Sequence, residues 1–133
     1  MGIDVGTQGS RAVVIDEDGI VRASESAPHV LHSPRPGWSE QNPDDWWEAV
    51  KDSVHAVGKM VNLDAVRGIG LTGQMHGSVF LDSAHDVIRP ALLWNDQRTE
   101  GQVRWMTHVA ANELWSIALN PAITGFQAPK IIW

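Results

Sequence analysis

Asp4-Val5-Gly6-Thr7-Gln8-Gly9-Ser10-Arg11 puts a carboxylate, two glycines, two hydroxyls and a cation into one short stretch. Glycines let backbone N–H groups close on an oxyanion, and Thr7, Ser10 and Arg11 add donors and positive charge, so the stretch is suited to holding phosphate. Asp4 would repel that phosphate unless a hard cation stood between them, which implies Mg2+ held through water. The same residues also fit a tight hairpin turn with an incidental aspartate. A second group is Gly73-Gln74-Met75-His76-Gly77 with Trp94-Asn95-Asp96-Gln97-Arg98. Gln74, His76, Asn95 and Asp96 offer donors and acceptors matched to hydroxyl groups, and Trp94 has an apolar face for the carbon side of a sugar. A single histidine or tryptophan is ordinary packing. Their convergence at two strand ends, where α/β layers place ligands, is what points to a site.

Other chemistry is poorly supported. No Gly-x-x-x-x-Gly-Lys-Ser/Thr and no Gly-x-Gly-x-x-Gly follows a strand. Trp38 with Trp46 and Trp47 crowds a loop and a helix start, which reads as anchoring. His29 and His32 have no suitable third metal ligand nearby, and His55, His85 and His108 read as surface or packing residues. Asp44 and Asp45 are explained by a helix terminus rather than as a glycosidase pair.

The elements that must position these groups follow from pattern. Strands are expected at Ile3 to Val5, Arg11 to Asp16 and Ile20 to Ser24, with Asp16-Glu17-Asp18-Gly19 as the second turn. His32 to Gly37, with two prolines, is a loop. Asn42 can cap a helix that opens with Pro43, Asp44 and Asp45 and shows Trp47, Val50, Val54 and Val57 as its apolar face. A buried strand is expected at Val66 to Leu71. Strands follow at Ser78 to Leu81 and Val87 to Trp94 around an Asp82 to Asp86 turn, then a helix after Asn95 or Asp96. Helical patterning continues over Val103 to Leu119, Asn120-Pro121 stops it, Gly125 turns, and Pro129 lies near a helix start. The chain is expected to stop inside that element. The sum is a mixed α/β layer with an antiparallel start.

With 133 residues, 43% hydrophobic and 20% charged, the chain is expected to form one domain with one core. Sixteen acids against ten lysines and arginines give −6, which disfavours nucleic acid as a partner. Nine of the acids fall in the first fifty residues, a solvated face rather than a tail. With no cysteine, disulfides and thiolate chemistry are excluded, and a reducing cytoplasm is the expected location. No apolar run approaches the ~20 residues of a bilayer span, so no membrane association is expected.

Taken in order, these stretches resemble the amino-terminal part of the FGGY carbohydrate kinases along nearly the whole chain. Gly2-Ile3-Asp4-Val5-Gly6-Thr7 is similar to that family's opening phosphate loop, which actin and hexokinase share more loosely. Trp38-Ser39-Glu40-Gln41-Asn42-Pro43 with Trp46-Trp47, then Gly73 to Gly77, then Leu93 to Arg98, is more discriminating because order and spacing match too. The Gln74-Met75-His76 core resembles the xylulose-phosphorylating branch.

The resemblance implies a ribonuclease-H-like α/β domain of the actin-like ATPase superfamily with a mixed sheet, the first of two such domains, spanning 1–133 with the second absent from the chain. It implies ATP and Mg2+ as cofactors and transfer of the γ-phosphate to D-xylulose, giving D-xylulose 5-phosphate. Asp4 would position Mg2+, through water, and the phosphates. Gly6, Thr7, Gln8, Gly9, Ser10 and Arg11 would line the phosphate side; Met75 and His76 would contact the sugar, with Gln74, Trp94, Asn95 and Asp96 beside it. The family's general base and adenosine pocket lie downstream, so this chain alone is expected to be inactive. Homodimers are common in the family. Arg11 departs from the lysine frequent in the xylulose branch and matches glycerol kinases, which place Arg-Glu where Met75-His76 stands. A sugar-binding module without catalysis is the alternative of another class. An incomplete chain would expose Trp115, Ile131, Ile132 and Trp133.

Overall fold

The computed structural model describes residues 1–133. In chain order its elements are β1 (Gly2–Val5), β2 (Gly9–Ile15), β3 (Val21–Pro28), β4 (Glu40–Gln41), α1 (Pro43–Gly58), a 3-10 turn (Leu63–Ala65), β5 (Gly70–Gly73), β6 (Ala91–Leu92), α2 (Glu100–Glu113), a π-helical turn (Leu114–Ala118) and α3 (Gln127–Ile132). They gather into two compact units, Met1–Val30 with Asn42–Gln74, and Leu31–Gln41 with Met75–Trp133. The buried apolar residues are few and mostly small: Ile3, Ala12, Ala23, Ala49 and Val57 in the first unit, Ala91, Leu92, Leu93 and Ala122 in the second.

In the first unit the sheet order is β3-β2-β1-β5. β1 and β3 are antiparallel to β2, and β5 is parallel to β1, so the sheet is mixed as expected. Asp16 closes the β2–β3 turn, its Oδ1 accepting from the N–H groups of Asp18 and Ile20, with Gly19 at φ 78°. β5 corrects the strand expected at Val66 to Leu71: it starts later, lies at one edge of the sheet and is exposed along its whole length, Leu71 at 78%.

Asn42 caps α1 by accepting from Asp44 N–H, worth ~1 kcal/mol for such caps. The buried line of α1 is Ala49, Ser53 and Val57, spaced four apart, and the helix packs on β2 and β3. Trp47 is exposed, a correction, because two residues before Ala49 lies on the far side of the helix. Val57, without exposed surface, packs with Ala12 and Ala23 inside a ring of Val14, Val54, Val61 and Leu63. Burial of one such valine contributes roughly 1.5–3 kcal/mol.

In the second unit β4 pairs with β6, antiparallel. The strands expected at Ser78 to Leu81 and Val87 to Trp94 reduce to β6 and single bridges, Ser78 to Leu92 and Leu81 to Val87. The Asp82 to Asp86 turn does form, Asp82 Oδ1 accepting from the N–H groups of Ala84 and Asp86. α2 begins at Glu100 and not beside Asp96. Leu119 in the left-handed region (φ 54°) ends the π-helical turn just before Asn120-Pro121. Trp115, Ile131, Ile132 and Trp133 are all exposed.

Gly9 is required by packing, since a Cβ there would stand 2.5 Å from the Ala27 carbonyl oxygen of β3, whereas one at Gly2 meets nothing within 4 Å. Gly9→Ala is expected to destabilise by about 1–3 kcal/mol, with Gly2→Ala near neutral, in urea unfolding followed by tryptophan fluorescence.

Candidate functional site

Antiparallel pairing of β1 with β2 sets Ile3 opposite Ala12, both buried, and alternation then turns Asp4 and Arg11 together to the outward face. Thr72 of β5 is Asp4's partner on the other side. These three residues border an open depression of about 340 Å3. At the end of β1, Gly6 N–H donates to Gly9 O at 3.0 Å. A Cβ at Gly6 would meet Gly9 O at 3.2 Å and Asp4 Oδ2 at 3.7 Å, so the carboxylate lies against the turn's backbone. Gln8 O accepts from His29 N–H at 2.9 Å. Thr7 Oγ1 donates to Gln74 Oε1 at 3.4 Å, and Gln74 N–H donates to Val5 O at 2.8 Å. Gln74, grouped in the sequence with Met75 and His76, therefore sits with the phosphate-turn residues.

Ser10 corrects the sequence reading of a phosphate-facing hydroxyl. The side chain has no exposed surface; its Oγ lies 2.9 Å from His29 Nε2 and donates to Trp46 O at 3.5 Å. Alternation along β2 forces this, because Ser10 faces opposite to Arg11. Burial pushes the His29 pKa down from 6.5, against the backbone of Gly6 and the charge of Asp45.

In the second unit Met75 is 69% exposed, and Trp94 and Asn95 are exposed directly after the buried run Ala91 to Leu93. Asp96 turns inward, a second correction to its reading as a hydroxyl-binding group. Its Oδ2 accepts Ser39 N–H at 2.7 Å and its Oδ1 accepts Arg98 N–H at 2.9 Å. The Arg98 guanidinium pairs with Asp96 at 2.7 Å and Glu40 at 2.8 Å, and lies 3.7 Å above the Trp38 ring.

His76 has φ 62°, the left-handed region, which costs a residue with a Cβ roughly 1–2 kcal/mol. Its ring lies 4.7 Å from that of Phe126. Lys130 Nζ donates to His76 O at 2.6 Å and to Gly125 O at 3.0 Å. Only 2% of Lys130 is exposed, and burial pushes its pKa down to about 8 against the attraction of Asp96. A Cβ on Gly125 would stand 2.5 Å from Trp94 O, so Gly125 is packed directly on that backbone. Residues 125–130 thus brace both His76 and Trp94. No local pattern assigns them a role; the one signal is a lysine set just before Ile131 and Ile132.

The model of the N-terminal domain of the FGGY family of carbohydrate kinases matches residues 1–133. The chain belongs to this family. The xylulose kinase of Klebsiella pneumoniae is 40% identical over 134 residues, covering 100% of this chain and 27% of that protein. A crystal structure of a xyloylose kinase from Brucella ovis superposes with a TM-score of 0.91 at 37% identity, covering 99% of this chain and 28% of the other. Plasmodium falciparum glycerol kinase, solved with ADP, shares the fold at a TM-score of 0.85 and 23% identity, covering 100% of this chain and 29% of that one. The expected actin-like ATPase architecture is borne out by these FGGY neighbours. The FGGY chain spans about a quarter of the length of the curated relatives it matches. No group of three His, Asp or Glu side chains in this FGGY domain is placed to hold a metal, and no helix is long and apolar enough to cross a membrane.

His29 makes the first unit acid-sensitive. Its folded-state pKa lies below the unfolded value of 6.5, so the unfolded chain binds the proton first and stability falls as pH drops through 6.5 toward the folded pKa. His29→Gln is expected to flatten the pH dependence of the urea midpoint between about pH 7.5 and pH 5.5.

Proposed function

We propose that the protein carrying this chain transfers the γ-phosphate of ATP to a hydroxyl of D-xylulose, giving D-xylulose 5-phosphate and ADP, and that residues 1–133 form its amino-terminal domain. The likeness along the whole chain to proteins named xylulose kinase carries this reading. The geometry within each unit supports it.

On the phosphate side, Asp4 stands exposed beside the Gly6 turn with Arg11 opposite it. An exposed carboxylate fits Mg2+, which keeps most of its waters and takes its other ligands from nucleotide phosphates. When bound, that ion would neutralise charge on the transferring phosphoryl group. Arg11 and the backbone of Gly6, Thr7, Gln8 and Gly9 supply the remaining positive field. On the sugar side, Met75 and His76 contact the substrate, Trp94 offers an apolar face and Asn95 a hydrogen-bonding amide. Asp96 acts through Ser39 and Arg98, fixing the loop from which Trp94 and Asn95 project. The general base that accepts the hydroxyl proton, and the adenosine pocket, are assigned to the three quarters of the protein outside this chain. A reducing cytoplasm suits a chain without cysteine.

Arg11 favours glycerol as a second substrate to test. Sugar-dependent ADP release by the complete protein, with D-xylulose, glycerol, D-ribulose and gluconate in parallel, decides among them. Turnover is expected with D-xylulose. Asp4→Ala should lower kcat by about 100-fold, and His76→Ala should raise KM for D-xylulose while leaving KM for ATP in place. Turnover with glycerol alone would move the assignment to that triol, and sugar binding without ADP release would mark a non-catalytic module.

A further inference from the structure

The direction in which His76 presents its ring is tied to its backbone, which lies at φ 62°. A residue with a Cβ persists there when its surroundings over-determine it. Two contacts do so: the ring lies against Phe126, and the carbonyl accepts from Lys130 Nζ at 2.6 Å. The same Nζ holds the carbonyl of Gly125, the residue packed on Trp94 O. An ammonium almost without exposed surface is costly, and an aliphatic side chain would fill the same space more favourably. Lysine is explained at this position by what its donors hold.

We infer that Lys130 is a positioning residue for the sugar side of the site, its ammonium group clamping the His76 and Gly125 carbonyls so that the imidazole of His76 and the indole of Trp94 keep the orientation that receives substrate. This rests on the proposed sugar-kinase reading. Lys130 acts through His76 and Trp94 and touches no reacting atom. The charged group facing it is the Asp96 carboxylate, itself paired with Arg98; from His76 it meets the backbone carbonyl. With its pKa pushed down to about 8, the ammonium loses its proton above that pH, and its bonds to the two carbonyls lose their charge assistance.

The test uses the complete protein and the variant Lys130→Ala, with Lys130→Met, which keeps the stem packed and removes the donors, taking its place if the alanine variant does not fold. The expected result is a KM for D-xylulose raised about tenfold or more, with KM for ATP unchanged. In the alanine variant n-propylammonium, but not the donor-free tetramethylammonium, should restore it. In the unmodified protein the sugar KM should rise above about pH 8, and in either variant this dependence should be gone. Unchanged sugar kinetics, or equal damage to both substrates without amine rescue, overturns the inference. If the unmodified protein releases no ADP with any sugar, the functional reading fails. The clamp is then judged by the His76 amide resonance in 15N-histidine-labelled protein: a shift on loss of the Lys130 donors, reversed by n-propylammonium in the alanine variant, upholds it, and an unmoved or unrescued resonance overturns it.

Discussion

A carboxylate with no exposed surface survives in a fold only where its oxygens are filled with donors, and Asp96 is such a group. Ser39 N–H, Arg98 N–H and the Arg98 guanidinium all reach it. Ser39 and the second acid on Arg98, Glu40, come from Leu31–Gln41, whereas Asp96 and Arg98 come from Met75–Trp133. The knot therefore closes a unit that is discontinuous in sequence. β4 and β6, of two residues each, supply too few ladder hydrogen bonds to close it alone. Breaking one partner would leave a buried charge uncompensated, a loss of about 3–5 kcal/mol in comparable pairs.

This gives the two units different interiors. The first is held by apolar contact between α1 and the sheet, centred on Ala12, Ala23 and Val57. The second buries Gln41, Asp96, Thr99 and Lys130 beside its few aliphatic residues, with Arg98 stacked on Trp38 and near Trp133. Directional polar contacts fix orientation more narrowly than apolar ones. Trp94 and Asn95, immediately before Asp96, can therefore stay exposed without losing their direction.

What was legible in the sequence was what is decided locally. The Gly6 turn, the Asp16 and Asp82 turns and the Asn42 cap all depend on residues two to four apart, and each formed as read. The start of α2 was misread because Asp96 has the chemistry of a helix cap but is drawn inward by Ser39 and Arg98. The α1 face was misread because Ser53, a polar residue, occupies its buried line while Trp47 is apolar and exposed. For the candidate site, Asp4 and His76 are singled out by residue type and spacing, and Met75 by the family resemblance alone. Burial of Ser10 and Asp96 depends on His29 and Ser39, which are distant in sequence. Lys130 and His76, 54 residues apart, carry no local pattern that would pair them.

In the proposed reading, the phosphate turn of the first unit and the sugar-contacting loop of the second, each taken by itself, pose opposite problems to the backbone. A phosphate is met by main-chain N–H groups, so the chain must lose side chains to let it approach; the proposed reading gives Gly6 and Gly9 this part, and at Gly9 the neighbouring strand independently requires glycine. A sugar hydroxyl is met by a side chain, so the chain must keep the side chain and hold the backbone that aims it. Glycine at position 76 would enter the left-handed region freely but would bring no imidazole. Histidine brings the imidazole at the cost of strain, and that strain has to be opposed from outside the loop. A buried ammonium does so with two strong donors on one flexible stem. On that reading the phosphate turn is vulnerable to added bulk and the sugar-contacting loop to lost charge, and the asymmetry follows from which part of the residue meets the ligand.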